Sequence, residues 1–131
     1  MTIEIRHYQP EDCRPVFELL CNNGWQQRIK NASWFDDLMS RSDDSFVAIS
    51  GGRVVGFVRS INDGMSNGYI SMLVVSSDQT RRGIGSSLVQ QLTEQSPNVT
   101  WVLRAGRAGA MQFFERLGFN ASVEAMESNR H

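Results

Sequence analysis

Val74-Val75-Ser76-Ser77-Asp78-Gln79-Thr80-Arg81-Arg82-Gly83-Ile84-Gly85-Ser86-Ser87-Leu88 is the stretch on which the reading of this chain turns. An apolar run ends, a polar turn follows, and two glycines open a segment whose apolar residues Ile84, Leu88, Val89 and Leu92 recur at helical spacing. A strand therefore runs into a helix. The first N–H groups of a helix have no internal partners and lie at the positive end of its dipole. Glycine lets an anion approach that backbone closely. Arg81 and Arg82 add charge, and Ser86 and Ser87 add hydroxyl donors. This combination predicts a pyrophosphate site. A Walker loop is absent, and a Rossmann fingerprint would need glycine where Leu88 stands. A helix that merely begins with glycines is the plainer alternative; the paired arginines at the junction favour the anion site.

Ahead of the junction, Tyr69 to Ser76 is the most apolar run, as expected near a sheet centre. Ser45 to Ser50 and Arg53 to Ile61 read as strands joined by Gly51-Gly52, a hairpin signal, and Asn62 to Gly68 reads as a second turn. Thr2 to Gln9 alternates like a first strand. Cys13, Val16, Phe17, Leu20 and Cys21 follow helical spacing, with Asp12 as N-cap, Pro15 in the first turn and Asn22-Asn23-Gly24 as the stop. Trp25 to Ser42 is a weaker helical region carrying Trp34, Phe35, Leu38 and Met39. Beyond the junction, the helix Arg82 to Gln95 is broken at Pro97-Asn98, and Val99 to Leu103 is a strand. Ala108 to Leu117 is a helix with Ala110, Met111, Phe114 and Leu117 inward, closed by Gly118, and Phe119 to Glu127 is a last strand. The order β-α-α-β-β-β-α-β-α-β describes one mixed α/β or α+β domain over residues 1–131, with antiparallel hairpins in the middle and a parallel step through Arg82 to Gln95.

The composition is ordinary for a soluble globular protein, 40% hydrophobic and 21% charged. A formal net charge of -1 gives no overall field to hold nucleic acid. Met1 to Gln9 does not read as a signal peptide, and no run approaches the roughly 20 apolar residues of a membrane span, so no membrane partner is expected. Cys13 and Cys21 stack on one helix face about 12 Å apart, beyond the reach of a disulfide. Two free thiols fit a reducing cytoplasm. His7 and His131 lie far apart and no Cys/His ligand spacing exists, so no metal is expected.

Two motifs together resemble the GNAT family of N-acetyltransferases. Its members carry Gln/Arg-x-x-Gly-x-Gly/Ala at the strand-to-helix junction, matched here by Thr80-Arg81-Arg82-Gly83-Ile84-Gly85. Their closing motif Ala-x-x-Phe-Tyr-Glu-x-Leu-Gly-Phe is matched by Ala110-Met111-Gln112-Phe113-Phe114-Glu115-Arg116-Leu117-Gly118-Phe119. The resemblance implies a splayed central sheet flanked by helices, with Tyr69–Ser76 and Val99–Leu103 diverging around the arm of acetyl-coenzyme A, the co-substrate. It implies that Leu73, Val74 and Val75 pair with the pantetheine through their backbone, and that the turn Arg81, Arg82, Gly83, Ile84, Gly85, Ser86 and Ser87 holds the pyrophosphate. Arg107 and Phe113 would border the same site. Direct acetyl transfer to a primary amine of a small molecule, or to an exposed amino group, follows from the resemblance, through a ternary complex without a covalent acyl-enzyme.

The chain departs from that pattern in several places. Thr80 replaces a long donor, and Arg107 stands where many relatives have Asn. Phe114 stands where the family has a Tyr that protonates the leaving thiolate, and Phe cannot donate a proton. The strand Tyr69 to Ser76 carries no Glu or Asp to act as a base. Tyr69 reads either as a proton donor or as a rim tyrosine, and Ser71 either as a water-binding hydroxyl or as a solvent-facing serine. Trp25 and Trp34 read either as an acceptor wall or as core, and Asp63 either as an anionic rim for a cationic amine or as a plain surface carboxylate. Cys21 reads as buried filler rather than a reactive thiol. Phe114 keeps a second function open, a non-catalytic acyl-coenzyme A sensor or regulatory subunit; a pure scaffold is a third. A homodimer is compatible with the sequence.

Overall fold

The computed structural model describes residues 2–130. A mixed five-stranded sheet runs in the order β1 (Ile3–His7), β2 (Ser45–Ser50), β3 (Arg53–Asn62), β4 (Asn67–Val75) and β5 (Thr100–Leu103). The first four strands are antiparallel, and β5 joins β4 in parallel. Helices α1 (Cys13–Cys21) and α2 (Ala32–Ser40) cover one face; α3 (Ile84–Glu94) and α4 (Ala110–Arg116) cover the other. The domain is therefore α+β.

Each face has its own apolar layer. Val16, Leu20, Phe35, Val47 and Phe57 are fully buried under α1 and α2. Phe46, Val58, Leu88 and Val89 are fully buried under α3 and α4. Burying each such side chain contributes about 1.5–3 kcal/mol, which is why the amphipathic spacing in sequence predicts these helices well. The hairpin joining β2 and β3 uses Gly51 and Gly52 at φ 57° and 76°, the left-handed pair that matches strand twist.

Several boundaries differ from the sequence reading. The first strand spans only Ile3–His7. The helical region over residues 25–42 shrinks to α2, because Asn31 caps the helix by accepting a hydrogen bond from Trp34 N at 2.8 Å. The chain before it is irregular, and Trp25 and Ile29 drop into the core. Asp12 does not cap α1 with its side chain. It instead accepts a bidentate pair from Arg6 at 2.8 and 2.9 Å and the Gln9 N–H at 2.8 Å. Helix α3 starts at Ile84 rather than at residue 82, because Gly83 is left-handed. Met111 is 47% exposed rather than inward.

The closing strand expected over residues 119–127 does not form; this segment is irregular and exposed. Its alternation rests on Phe119, Ala121, Val123 and Ala125, and two alanines bury too little apolar area to order a strand. Strand β5 consequently keeps β4 as its one neighbour in the sheet, and a groove of about 760 Å³ lies between β5, α4 and the segment that follows.

A register shift in the β3–β4 ladder prepares the site. Arg59 pairs with Met72 and Ser60 with Ile70, so Ser71 is the extra residue of a bulge. The bulge reverses the parity of β4. Ile70 packs on the α3/α4 side while Met72, two residues on, packs on the α1/α2 side.

Candidate functional site

The candidate site begins where β4 ends. Ser76 N–H bonds Val55 O at 2.8 Å, and a short 3-10 turn follows over Ser77–Gln79. Asp78 fixes this turn: it accepts from Ser76 Oγ at 2.6 Å and from Arg53 Nη2 at 2.9 Å. These two donors hold its carboxyl below the usual carboxylate range. Arg82 donates to Gln79 Oε1. Arg81 at φ 67° and Gly83 at φ 75° then place two left-handed residues within three, a backbone concavity of the kind that gathers N–H groups around an anion. Ser87 N–H is the first to bond back, to Gly83 O at 3.0 Å. The N–H groups of Ile84, Gly85 and Ser86 are thus left without an intrahelical acceptor. The Ile84 side chain is buried, so it faces the turn through its backbone alone. A Cβ on Gly85 would stand 3.2 Å from the Phe113 ring, which fixes how closely α4 approaches the turn.

The turn opens onto a gap in the sheet. Parallel pairing of β4 with β5 ends at Ile70–Leu103. From Ser71 to Val75, β4 has no strand partner on that side, and alternate N–H and C=O groups face the gap. The gap widens into a cleft of about 510 Å³ bordered by β4, the end of β5, the loop after it, the start of α4, and Trp25 with Arg28.

The residues singled out in sequence distribute as follows. Tyr69, Ser71, Leu73, Val75, Arg107, Phe113 and Phe114 all border the cleft. Val74 turns its side chain into the α1/α2 core, leaving its backbone on the strand edge. Phe114 is 9% exposed and packs edge-on against Phe113 and Phe119, with ring centroids 5.0 and 5.4 Å away. Trp25 is buried and borders the cleft, so the two readings of it converge. Trp34 and Asp63 are not brought there. Trp34 sits on α2 against the core. Asp63 holds its own turn, accepting from Met65 N, Ser66 N, Ser66 Oγ and Asn67 N, which drives its carboxyl far below the usual range. His7 stacks on Phe46 at 4.5 Å. His131 lies outside the described residues. Cys13 and Cys21 are free and half-buried, and among the described residues no group of side chains could hold a metal ion.

Two residues of the site were not singled out in sequence. Arg28 reaches the cleft from the irregular segment before α2, where no pattern marks it. Arg59 was legible in principle, because a charged residue occupies an inward position two after Phe57 on β3. It is 7% exposed and lies behind Ser71, donating to Ser71 Oγ at 2.5 Å and to Ser42 Oγ at 2.7 Å. Burial pulls its pKa down, against the opposing influence of Asp43 and Tyr69. Among the described residues no helix is long and apolar enough to cross a membrane.

The sequence model of the acetyltransferase (GNAT) family matches residues 7–119. The uncharacterized N-acetyltransferase YafP of Escherichia coli strain K12 is 31% identical over 132 residues, covering 89% of this chain and 81% of that protein. The fold superposes on a GNAT-family acetyltransferase of Streptococcus pneumoniae TIGR4 with a TM-score of 0.79 at 23% identity, covering 99% of this chain and 100% of the other. A putative acetyltransferase of Deinococcus radiodurans R1 gives a TM-score of 0.74 at 25% identity, covering 98% and 88%. With the splayed strands, the left-handed turn and both sequence motifs in place, the chain belongs to the GNAT family of acetyltransferases.

Proposed function

We propose that the protein transfers an acetyl group from acetyl-coenzyme A directly to a primary amine, with both substrates bound at once. One observation carries this reading: the strand edge at residues 71–75 that β5 leaves unpaired runs straight into the turn of free N–H groups at 84–86. The turn suits a pyrophosphate, and the edge suits the amide-bearing pantetheine arm as an added strand. The thioester then lies along β4, within reach of backbone donors that stabilise the tetrahedral oxyanion. The amine nitrogen attacks the carbonyl carbon, a C–N bond forms, and the C–S bond breaks with the electron pair leaving on sulfur. One proton leaves the amine and one reaches the thiolate. Tyr69 and Ser71 are the hydroxyl groups bordering the cleft that can pass protons, directly or through water. Phe114 cannot.

Binding and turnover test separate parts of the reading. Titration calorimetry should show coenzyme A binding, and thiol release from acetyl-coenzyme A should depend on an added amine. Phe114 supports a second reading, an acyl-coenzyme A sensor, which predicts binding without amine-dependent thiol release. Absence of coenzyme binding refutes both. We place the activity in the cytoplasm, in keeping with two unbridged thiols.

A further inference from the structure

We infer that the acceptor carries a carboxylate close to its amine, and that Arg28 and Arg107 receive it. The inference rests on the acetyl-transfer reading for the identity of the cleft, and its own evidence is the polarity of the cleft wall. The Trp25 ring carries two guanidiniums, Arg107 at 4.1 Å and Arg28 at 5.7 Å from its centroid. Arg107 is anchored by donating to Asn23 O at 3.3 Å and Gly24 O at 3.2 Å. Its seat lies against Gly24, which is left-handed at φ 94°; a Cβ there would lie 3.2 Å from Arg107 Nη1. Burial and then the neighbouring Arg28 charge push the Arg107 pKa down.

Neither arginine has a carboxylate within ion-pair distance among the described residues, where the pairs are Arg6–Asp12, Arg41–Asp37, Arg53–Asp78 and Arg104–Glu127. Among the described residues no Asp or Glu lines the cleft, and Arg104, which does line it, is paired with Glu127 at 2.8 Å. The side-chain hydroxyls on this wall, Tyr69 and Ser71, can also donate. Ser71 Oγ accepts from the buried Arg59, which leaves its hydroxyl proton free to point elsewhere. Two like charges sharing one aromatic ring, neither paired with a carboxylate among the described residues, are the complement of an anion. A polyamine, by contrast, would meet repulsion from the two guanidiniums and no carboxylate among the described residues that line the cleft.

The anion could instead be a phosphate of the coenzyme, and the test distinguishes the two. Free amino acids, their C-terminal amides and spermidine are compared as acceptors with acetyl-coenzyme A, following thiol release. The same compounds are titrated into the coenzyme A-saturated protein, which reads recognition without chemistry. Expected is a preference for each free acid over its amide of about 10-fold or more in kcat/KM and in affinity, as one charge-assisted pair is worth. Arg28 is exposed, so Arg28→Ala should fold normally. It should raise KM for the acids far more than for the amides, while coenzyme A affinity holds; Arg28→Lys should restore part of the preference. Amides or spermidine binding and reacting as well as the acids overturn the inference while leaving acetyl transfer standing. Loss of coenzyme A affinity in Arg28→Ala also overturns it, by assigning the anion to the coenzyme. If no amine supports thiol release, acetyl transfer fails on its own account, and the titrations still decide whether the wall selects a carboxylate.

Discussion

Gly83 permits the pyrophosphate reading to be tested by charge alone. It sits at φ 75°, ψ 13°, and no heavy atom lies within 4 Å of where a Cβ would be. A side chain there meets open space, so the penalty is backbone strain of about 1 kcal/mol, less for Asn or Asp, which visit this region more readily than other residues. Gly83→Asn and Gly83→Asp are thus near-isosteric variants that should fold alike, with melting temperatures a few degrees below the parent at most. They differ in one negative charge placed beside the N–H groups of residues 84–86. Two unit charges about 4 Å apart repel by about 1 kcal/mol in bulk dielectric and about 4 kcal/mol at the effective dielectric of a protein surface. A middle value of about 2 kcal/mol corresponds to roughly 30-fold in affinity. Calorimetric titration should therefore find coenzyme A bound at least about 10-fold more weakly by the Asp variant than by the Asn variant. The gap should narrow as salt rises, because the turn is exposed. With S-acetyl-pantetheine, which lacks phosphates, the gap should disappear. Equal coenzyme A affinity in two folded variants refutes the assignment of the phosphate to this turn. An equal gap with S-acetyl-pantetheine would show that the charge acts by distorting the cleft.

The other predictions follow from packing, titration and site chemistry. Phe57 is fully buried, with Phe35 at 6.1 Å and Tyr8 at 5.9 Å between ring centroids, so Phe57→Ala should cost about 3–5 kcal/mol in urea unfolding. A loss below about 1 kcal/mol would contradict the packing. Burial alone would raise the Asp12 carboxyl, yet Arg6 and the Gln9 N–H outweigh it and hold the group below its usual value. Its contribution should then be complete above the unfolded carboxylate pKa of about 3.9 and be lost as pH falls through the lower folded value. Asp12→Asn should cost about 1–3 kcal/mol at pH 7 and flatten the acid limb of stability against pH; a parallel limb in parent and variant would exclude this role. Phe114→Tyr should bind coenzyme A normally and keep or raise the turnover number in the thiol-release assay. Loss of a demonstrated activity would show that the position does not face the thioester, and activity gained from an inactive parent would favour the sensor.

What was legible in sequence was whatever obeyed a period or a local rule. Helices α1 and α3 announced themselves through apolar spacing, Gly51-Gly52 through turn chemistry, and residues 81–86 through glycines beside arginines at a strand end. What was not legible depends on contacts between distant segments. Arg28 belongs to the site because the irregular chain before α2 folds Trp25 under the β5–α4 loop, where Arg107 crosses its ring. Nothing within a few residues of Arg28 encodes that meeting. The bulge at Ser71 is likewise a property of two strands, and it is what turns β4 over between Ile70 and Met72. The mistaken strand after Gly118 shows the opposite failure: an alternating pattern was present, but the burial needed to order it was not.

On the proposed reading, acetyl transfer proceeds in a cleft whose strand β4 carries no acidic side chain and where phenylalanine stands at position 114. Thioesters are activated, and a thiol with a pKa near that of cysteine, about 8.5, leaves as its anion at modest cost near neutral pH. A missing general acid lowers the rate by about 10²–10⁴ without abolishing it, and holding both substrates in line supplies much of the remainder. The harder requirement is a neutral amine. Cations near an amine lower its pKa by disfavouring the ammonium, and on the proposed reading Arg28, Arg107 and, behind Ser71, Arg59 lie near the acceptor. A positive wall takes no proton itself, and the carboxylate of a bound acceptor offsets part of its effect on the amine, so on the proposed reading the proton passes to water held at Ser71 or Tyr69. On the proposed reading, a carboxylate-bearing acceptor and the absence of an acidic base are therefore linked: an acidic residue on β4 would pair with the arginines that the acceptor needs.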